Sequence, residues 1–300
     1  MHIGAGMDLL TTSEAADYLR LGERKVYELV AANEIPCSKV TGKWLFPRHE
    51  LDRWVLSELI QPTGMIPTSP PPIVGGSQDD LLEWCLRRSG SGLASLTEGS
   101  ENGMSRLLRG EVAAAAIHFH SVRETGEPAN FTAVREQPLL HDVVVVAFAR
   151  REQGLLLPPG NPKGLKSISD VLSRDVKLAT RQKGAGAQML LEALLERAGS
   201  SLSDLNCLEQ PCLTGPDLAG AIRAGAADCG VATRAAARTH DLDFVPILWE
   251  EFDLVMRQRT YFQPFMQALF RFMAKDDLGL HAAELTGYDV SEAGTIRLFT

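Results

Sequence analysis

Three groups of residues in this 300-residue chain have types and spacings that could do chemistry. The first is Arg181-Gln182-Lys183-Gly184-Ala185-Gly186-Ala187-Gln188, which lies between an apolar run at 176–179 and a helix-forming segment at 189–198. A glycine-bearing loop at a helix start holds anions by main chain alone, because the first N–H groups lack intrahelical partners and the helix dipole is positive there. Gly184 and Gly186 let a ligand come close. The second group is Ser77 and Ser100, hydroxyls at the ends of two short apolar runs. The third is His118-x-His120, which puts two imidazoles on one face of an expected strand, with His141-Asp142 as a candidate neighbour. Half-buried strand histidines more often satisfy local hydrogen bonds than hold an ion, so no metal is assigned. No P-loop, zincin or GxGxxG motif occurs, and Gly184-x-Gly186 lacks the third glycine of a dinucleotide fingerprint. The chain is therefore not expected to be an enzyme, and no cofactor is assigned.

The elements that must position these groups alternate between strand and helix from residue 72 to 300. Strands are expected at 73–77, 92–96 and 113–120, with helices at 79–89 and 102–109 between them, the rhythm of a parallel sheet. In such sheets ligands bind beyond the carboxyl ends of strands, which is where Ser77 and Ser100 fall. The apolar run 143–150 continues into 155–158 with no room for a crossover helix, and 244–248 returns through 249–253 into 254–256. Two α/β lobes joined by two crossing strands form a clamshell: lobe 1 from about 73–151 and 250–300, lobe 2 from about 152–249. Helices are expected to fill the C-terminal end.

Ahead of this lies a proline-rich stretch, 61–72, with Pro62, Pro67, Pro70, Pro71 and Pro72, which reads as an extended spacer. Residues 1–60 form a separate unit. Thr12 or Ser13 caps a first helix, and a second runs over 23–32. A hairpin over 37–46 turns at Thr41-Gly42, and Pro47 opens a third helix over 48–59. This is the element order of a winged helix-turn-helix.

Composition bounds the rest. The chain is 45% hydrophobic and 23% charged, has no apolar run long enough for a membrane helix, and has no cationic start followed by an apolar core, so a cytoplasmic location and no membrane partner are expected. Five cysteines without CxxC spacing suggest reduced thiols. The net charge of −8 argues against indiscriminate nucleic-acid binding, yet residues 20–48 hold six basic and three acidic groups, a local basic patch. So small an excess makes binding by one module salt-sensitive and favours a homodimer.

The runs Leu10-Thr-Thr-Ser-Glu-Ala-Ala-Asp-Tyr-Leu19, Val26-Tyr27-Glu-Leu29, Ile35-Pro36 and Gly42-Lys43-Trp44-Leu-Phe46-Pro-Arg48 resemble the excisionase/MerR-type helix-turn-helix domain. That resemblance implies a double-stranded DNA operator as partner, with Arg24, Lys25 and Tyr27 on the second helix and Lys39, Lys43 and Arg48 around the wing facing it. Asn33-Glu34 stands where such modules carry a glycine and a basic residue.

The remainder resembles the type II periplasmic-binding-protein fold, and more narrowly the PBP-like domain found behind helix-turn-helix modules in bacterial regulators related to molybdate-binding proteins. The residues that carry this are Gly76-Ser77, Ser89-Gly-Ser91-Gly-Leu93, Arg109-Gly-Glu111, Gly160-Asn-Pro162, Arg181-Gln182-x-Gly184-Ala-Gly186, Ala224-Gly-x-Ala227-Asp228-x-Gly230, Phe252-Asp253-Leu254 and Gly287-Tyr288. The resemblance implies an interlobe cleft lined by Ser77, Ser100 and Gly184-Ala185-Gly186, with Arg181, His118 and Asp228 nearby. Its ligand would be small and anionic or polar: a molybdate- or tungstate-like oxyanion, or a molybdenum-cofactor-related compound. Ala187-Gln188 stands where a hydroxyl and a basic residue are expected, and Phe252 where tyrosine is common. The function implied is that of a one-component transcriptional regulator. The alternative is a cytoplasmic small-ligand carrier whose N-terminal domain is a protein adaptor.

Overall fold

The computed structural model describes residues 8–57, 69–120, 127–137, 140 and 142–299. The chain divides into two compact units, Met1–Met65 and Ile66–Thr300. Most of the proline-rich spacer (61–68), the last residues of the expected third helix (58–59) and His141 lie outside the described residues.

In the first unit, β1 (Leu9–Leu10), α1 (Thr12–Leu19), α2 (Glu23–Ala31), β2 (Ser38–Val40), β3 (Lys43–Pro47) and α3 (Arg48–Ser57) follow one another. The cap of α1 is Thr11, one residue before the first candidate and two before the second, because Thr11 exchanges hydrogen bonds with Glu14 in a capping box. Helix α2 ends with Asn33 at φ 56° and the Glu34 N–H returning to the Leu29 carbonyl. Asparagine tolerates the left-handed backbone, so the missing glycine costs the turn nothing in geometry. Thr41 and Gly42, both with positive φ, close the β2–β3 hairpin. The structure adds β1, which pairs with β3 to give a three-stranded sheet in the order β1-β3-β2. Ala15, Val26, Leu29, Phe46 and Leu51 form the core.

The second unit opens with β4 (Ile73–Gly76), α4 (Asp80–Arg88), β5 (Ala94–Thr97), α5 (Ser100–Leu108), β6 (Ala114–Ile117) and α6 (Ala129–Arg135). Then come β7 (Val143–Leu157), α7 (Ile168–Ser173), β8 (Lys177–Ala179), α8 (Gly186–Arg197), β9 (Asn206–Cys207), α9 (Gly215–Arg223), β10 (Cys229–Thr233) and α10 (Arg234–Thr239). The chain finishes with β11 (Asp243–Arg257), α11 (Gln258–Tyr261), α12 (Pro264–Met273), α13 (Asp276–Leu285), β12 (Tyr288–Asp289) and β13 (Ile296–Phe299).

Ten strands make one sheet in the order β5-β4-β6-β11-β7-β10-β8-β9, with β12 and β13 added to β7. The two expected pairs of strand segments are two continuous 15-residue strands, β7 and β11, paired antiparallel along their whole length. Near Val143 they lie beside β6 and near Leu157 beside β10, so both halves of the sheet share them. The C-terminal end holds two short strands as well as helices. Strand β6 ends at Ile117, so His118 and His120 lie just past a strand rather than on its face.

Glycine is required where layers meet most closely. A Cβ on Gly76, at φ 111°, would lie 2.2 Å from the Ala116 carbonyl, and one on Gly103 would lie 2.4 Å from the Gly76 Cα. Helix α5 can therefore press directly onto β4. Among the described residues no helix is long and apolar enough to cross a membrane.

Candidate functional site

The helices α4, α5, α8 and α9 start toward the region where β7 and β11 pass from one half of the sheet to the other, and the side chains gathered there are mostly charged. Arg151 and Glu250, directly opposite in the β7–β11 ladder, anchor it. The Arg151 guanidinium is buried; it donates to Asp79 Oδ2 at 2.9 Å, to Glu250 Oε1 through Nε at 2.9 Å, and to Glu250 Oε1 again through Nη2. Beneath it, 3.9 Å from the guanidinium carbon, lies the Phe252 ring. Asp79 also caps α4, accepting the Leu82 N–H at 2.8 Å, and takes the Tyr288 hydroxyl at 2.8 Å. Gln153 donates to Glu250 Oε1 at 2.8 Å.

On its other oxygen Glu250 meets His118 Nδ1 at 2.9 Å and His120 Nε2 at 2.7 Å. Burial would raise the Glu250 carboxyl, but the His118 imidazole and the Arg151 guanidinium outweigh it and hold the group well below the ordinary carboxylate range. Burial lowers the His118 imidazole to about 4, against the pull of Glu250. For the Tyr288 hydroxyl, burial and then Asp79 push the pKa well above its usual value.

Arg181, on the far side, is placed differently. It is half-buried, and its guanidinium donates only to backbone carbonyls, Cys212 at 3.2 Å and Leu213 at 2.9 Å. Among the described residues no carboxylate forms an ion pair with it. Burial lowers its pKa to about 10, so it remains a cation at neutral pH.

Between these walls is a cavity of about 20 Å³, lined by Gln78, Asp79, His118, Arg151, Gln153, Arg181, Gly215, Thr233 and Tyr288 among others. A water molecule needs roughly 10–15 Å³ measured this way, so the cleft as it stands is closed around a space for solvent. The Gln153 Oε1 atom is buried without a hydrogen-bond partner among the described residues.

Of the residues expected to line the cleft, Arg181 and His118 do so. Ser77 and Ser100 do not: their hydroxyls bond each other at 2.8 Å, and Ser100 Oγ accepts the His118 N–H at 3.0 Å. Gly184, Ala185 and Gly186 form a contact between lobes. The Gly184 carbonyl accepts the Glu101 N–H at the start of α5, and a Cβ on Gly186 would lie 2.2 Å from His118 Cε1. The expected anion cradle thus offers a carbonyl to the opposite helix start, and Gly186 is already the first residue of α8. Asp228 sits at the amino end of β10, accepts the Lys177 N–H at 2.8 Å, and lies away from the cavity. Sequence reasoning missed Asp79, Arg151, Gln153, Glu250 and Tyr288. A signal for two of them was present, since Arg150-Arg151 and Glu250-Glu251 each interrupt an apolar strand.

In the first unit Arg24, Lys25, Tyr27, Lys39, Lys43 and Arg48 are all exposed. Arg24 and Lys25 pair with Glu28, Lys39 lies over the Trp44 ring, and Arg48 pairs with Asp8 and lies over Tyr18.

A family model described as a PBP superfamily domain matches residues 85–274, and a helix-turn-helix domain model matches residues 9–58. The chain is similar to the uncharacterised protein YvgK of Bacillus subtilis (strain 168), 22% identical over 305 residues that cover 97% of this chain and 98% of YvgK. Among solved structures it is similar to a cysteine-to-serine mutant of OxyR from Corynebacterium glutamicum with H2O2 bound, with a TM-score of 0.50 and 13% identity over 91% of this chain and 90% of that one. An ABC-type phosphate transport receptor from Vibrio cholerae is similar at a TM-score of 0.46 and 12% identity, covering 72% of this chain and 98% of the receptor. With more than half its length matched, and with a helix-turn-helix domain ahead of the matched region, the chain belongs to the PBP superfamily domain family.

Proposed function

We propose that this chain is a one-component transcriptional regulator: the helix-turn-helix domain binds operator DNA as part of a homodimer, and the interlobe cleft binds a small anionic ligand. The observation that carries the ligand class is Arg181, a cation in the cleft lining whose guanidinium has only carbonyl partners. A charge so placed favours an anion, and the start of α9 at Gly215, in the same lining, adds to that preference. The partnerless Gln153 Oε1 favours a ligand that also brings a hydrogen-bond donor. Molybdate, tungstate and molybdenum-cofactor-related compounds are the first ligands to try, and the donor requirement favours the last of these over a bare tetrahedral oxyanion. Because the closed cleft holds only solvent-sized space, the lobes separate to admit the ligand and close over it.

Six exposed cationic or aromatic side chains on α2, on the β2–β3 hairpin and at the first residue of α3 support DNA as the partner of the first unit. Thermal unfolding in the presence of molybdate, tungstate, sulfate and cofactor-related compounds tests the ligand. A ligand at a hundred times its Kd adds about 2.7 kcal/mol to the folded state, and an Arg181→Gln chain should lose that response. If no anion in the panel raises the melting temperature of the unaltered chain, the anion reading fails. Gel-shift of the chain's own upstream DNA tests the regulator. Arg24→Ala and Lys43→Ala should weaken the complex on every sequence, and the absence of any complex at low salt would remove DNA as the partner.

A further inference from the structure

Glu250 is served by more donors than it has places for. Oε1 faces Arg151 Nε, Arg151 Nη2 and Gln153 Nε2, while Oε2 faces His118 Nδ1 and His120 Nε2, so five nitrogens converge on one carboxylate. An ionised carboxylate offers about four acceptor sites. The two imidazole nitrogens share the same oxygen, each needing its proton on the inward side.

We infer that His118 Nδ1, His120 Nε2 and Glu250 Oε2 form a binding site for a divalent transition-metal ion of the zinc class. The three atoms lie within 4.8 Å of one another. The ligands of a tetrahedral zinc site stand about 2.0–2.2 Å from the metal, hence about 3.3 Å apart. The observed 2.9 and 2.7 Å are shorter by a few tenths of an ångström, the contraction expected where protons rather than an ion hold the group together. Each imidazole moves its proton to the outer nitrogen when the inner one takes the ion, so neutral histidines bind with no proton lost from the pair. Two nitrogens and one oxygen suit a borderline cation over magnesium or calcium, which prefer all-oxygen sites. Three protein ligands leave a position for water or for an anion.

The surroundings are already fixed as such a site requires. Arg151 and Gln153 hold the non-ligating oxygen of Glu250. Asn130 ties the two ligand-bearing segments together: its Oδ1 accepts the Phe119 N–H at 2.7 Å, and its Nδ2 donates to the Glu251 carbonyl at 3.2 Å and to Asp253 Oδ2 at 2.7 Å. His120 also lines a second cavity of about 540 Å³, which does not include Arg181 in its lining and gives an ion its way in. The inference shares His118 with the cleft lining but does not use Arg181, the group that carries the anion reading, so either can fail without the other.

The test is titration of chelator-treated full-length chain with Co2+, whose visible ligand-field bands are strong in four-coordinate sites and weak in six-coordinate ones, followed by displacement with Zn2+. One ion per chain with strong bands is expected. His120→Gln keeps a neutral donor toward Glu250 and should weaken binding by about tenfold or more while leaving the metal-free melting temperature unchanged. His281→Ala, at a half-buried histidine that stacks on Trp84 and pairs with Glu284, should bind as the unaltered chain does. No bound Co2+ at concentrations on the order of 10 μM, about the Kd of a weak site, or a spectrum like that of the hydrated ion, would overturn the proposal. So would unchanged affinity in His120→Gln. The spectrum of the unaltered chain decides the matter by itself should that variant fail to fold.

Discussion

Two arginines face one another across the cleft and have opposite histories of pairing. Arg151 has taken two carboxylates, Asp79 and Glu250, and packs over Phe252; it is 1% exposed. Arg181 has taken two carbonyls and keeps its charge uncompensated. A buried ion pair gives little net stability because desolvation consumes most of the Coulombic gain, but removing one partner leaves the other stranded. The difference therefore separates a cation built into the fold from one left for something that arrives.

That contrast can be broken or sharpened in order of effect. Arg151→Leu strands Asp79 and Glu250 in a dry site and should cost about 3–5 kcal/mol in chemical denaturation; a cost under about 1 kcal/mol would mean water already reaches the pair. Next is Gly186→Ala, whose methyl would overlap His118 Cε1 and the His118 carbonyl. Overpacking of this kind costs about 1–3 kcal/mol, here charged to the closed arrangement alone, so small-angle scattering should report a larger radius of gyration in the variant. Arg181→Gln should shift stability by less than about 1 kcal/mol while abolishing the ligand response, and a large loss of stability instead would make Arg181 a second structural arginine. Smallest is Arg150→Ala, adjacent to Arg151 but exposed, with Glu251 at 3.5 Å and Asp289 at 3.9 Å; screened pairs of this kind are worth about 0–1 kcal/mol.

Local chemistry made much of this readable in advance. The β2–β3 hairpin follows from Thr41-Gly42, and the strand–helix alternation from apolar periodicity. The shared strands follow from apolar runs too close together for a crossover helix. What local pattern does not carry is which distant side chains meet. Asp79 and Glu250 reach Arg151 from 72 and 99 residues away along the chain, and Tyr288 reaches Asp79 from 209 residues away. The short strands β1, β12 and β13 depend on a partner strand already in place. Ser77 and Ser100 were found at the right strand ends, yet their hydroxyls face each other, an orientation that spacing alone does not fix. Asp228 lies outside the cavity lining for a related reason, as it stands at the amino end of β10, where it accepts the Lys177 N–H.

Strand β11 lies between β6 and β7 in space although it comes more than 100 residues after β6 in the chain. During synthesis, at about 5–20 residues per second, the first half of the sheet must wait many seconds for its middle strand. The helix-turn-helix unit, whose buried core residues all fall between Ala15 and Leu51, is complete long before. A nascent chain stalled before residue 243 should therefore carry a folded DNA reader followed by an open β6 edge, a species that chaperones would recognise and the finished protein never displays.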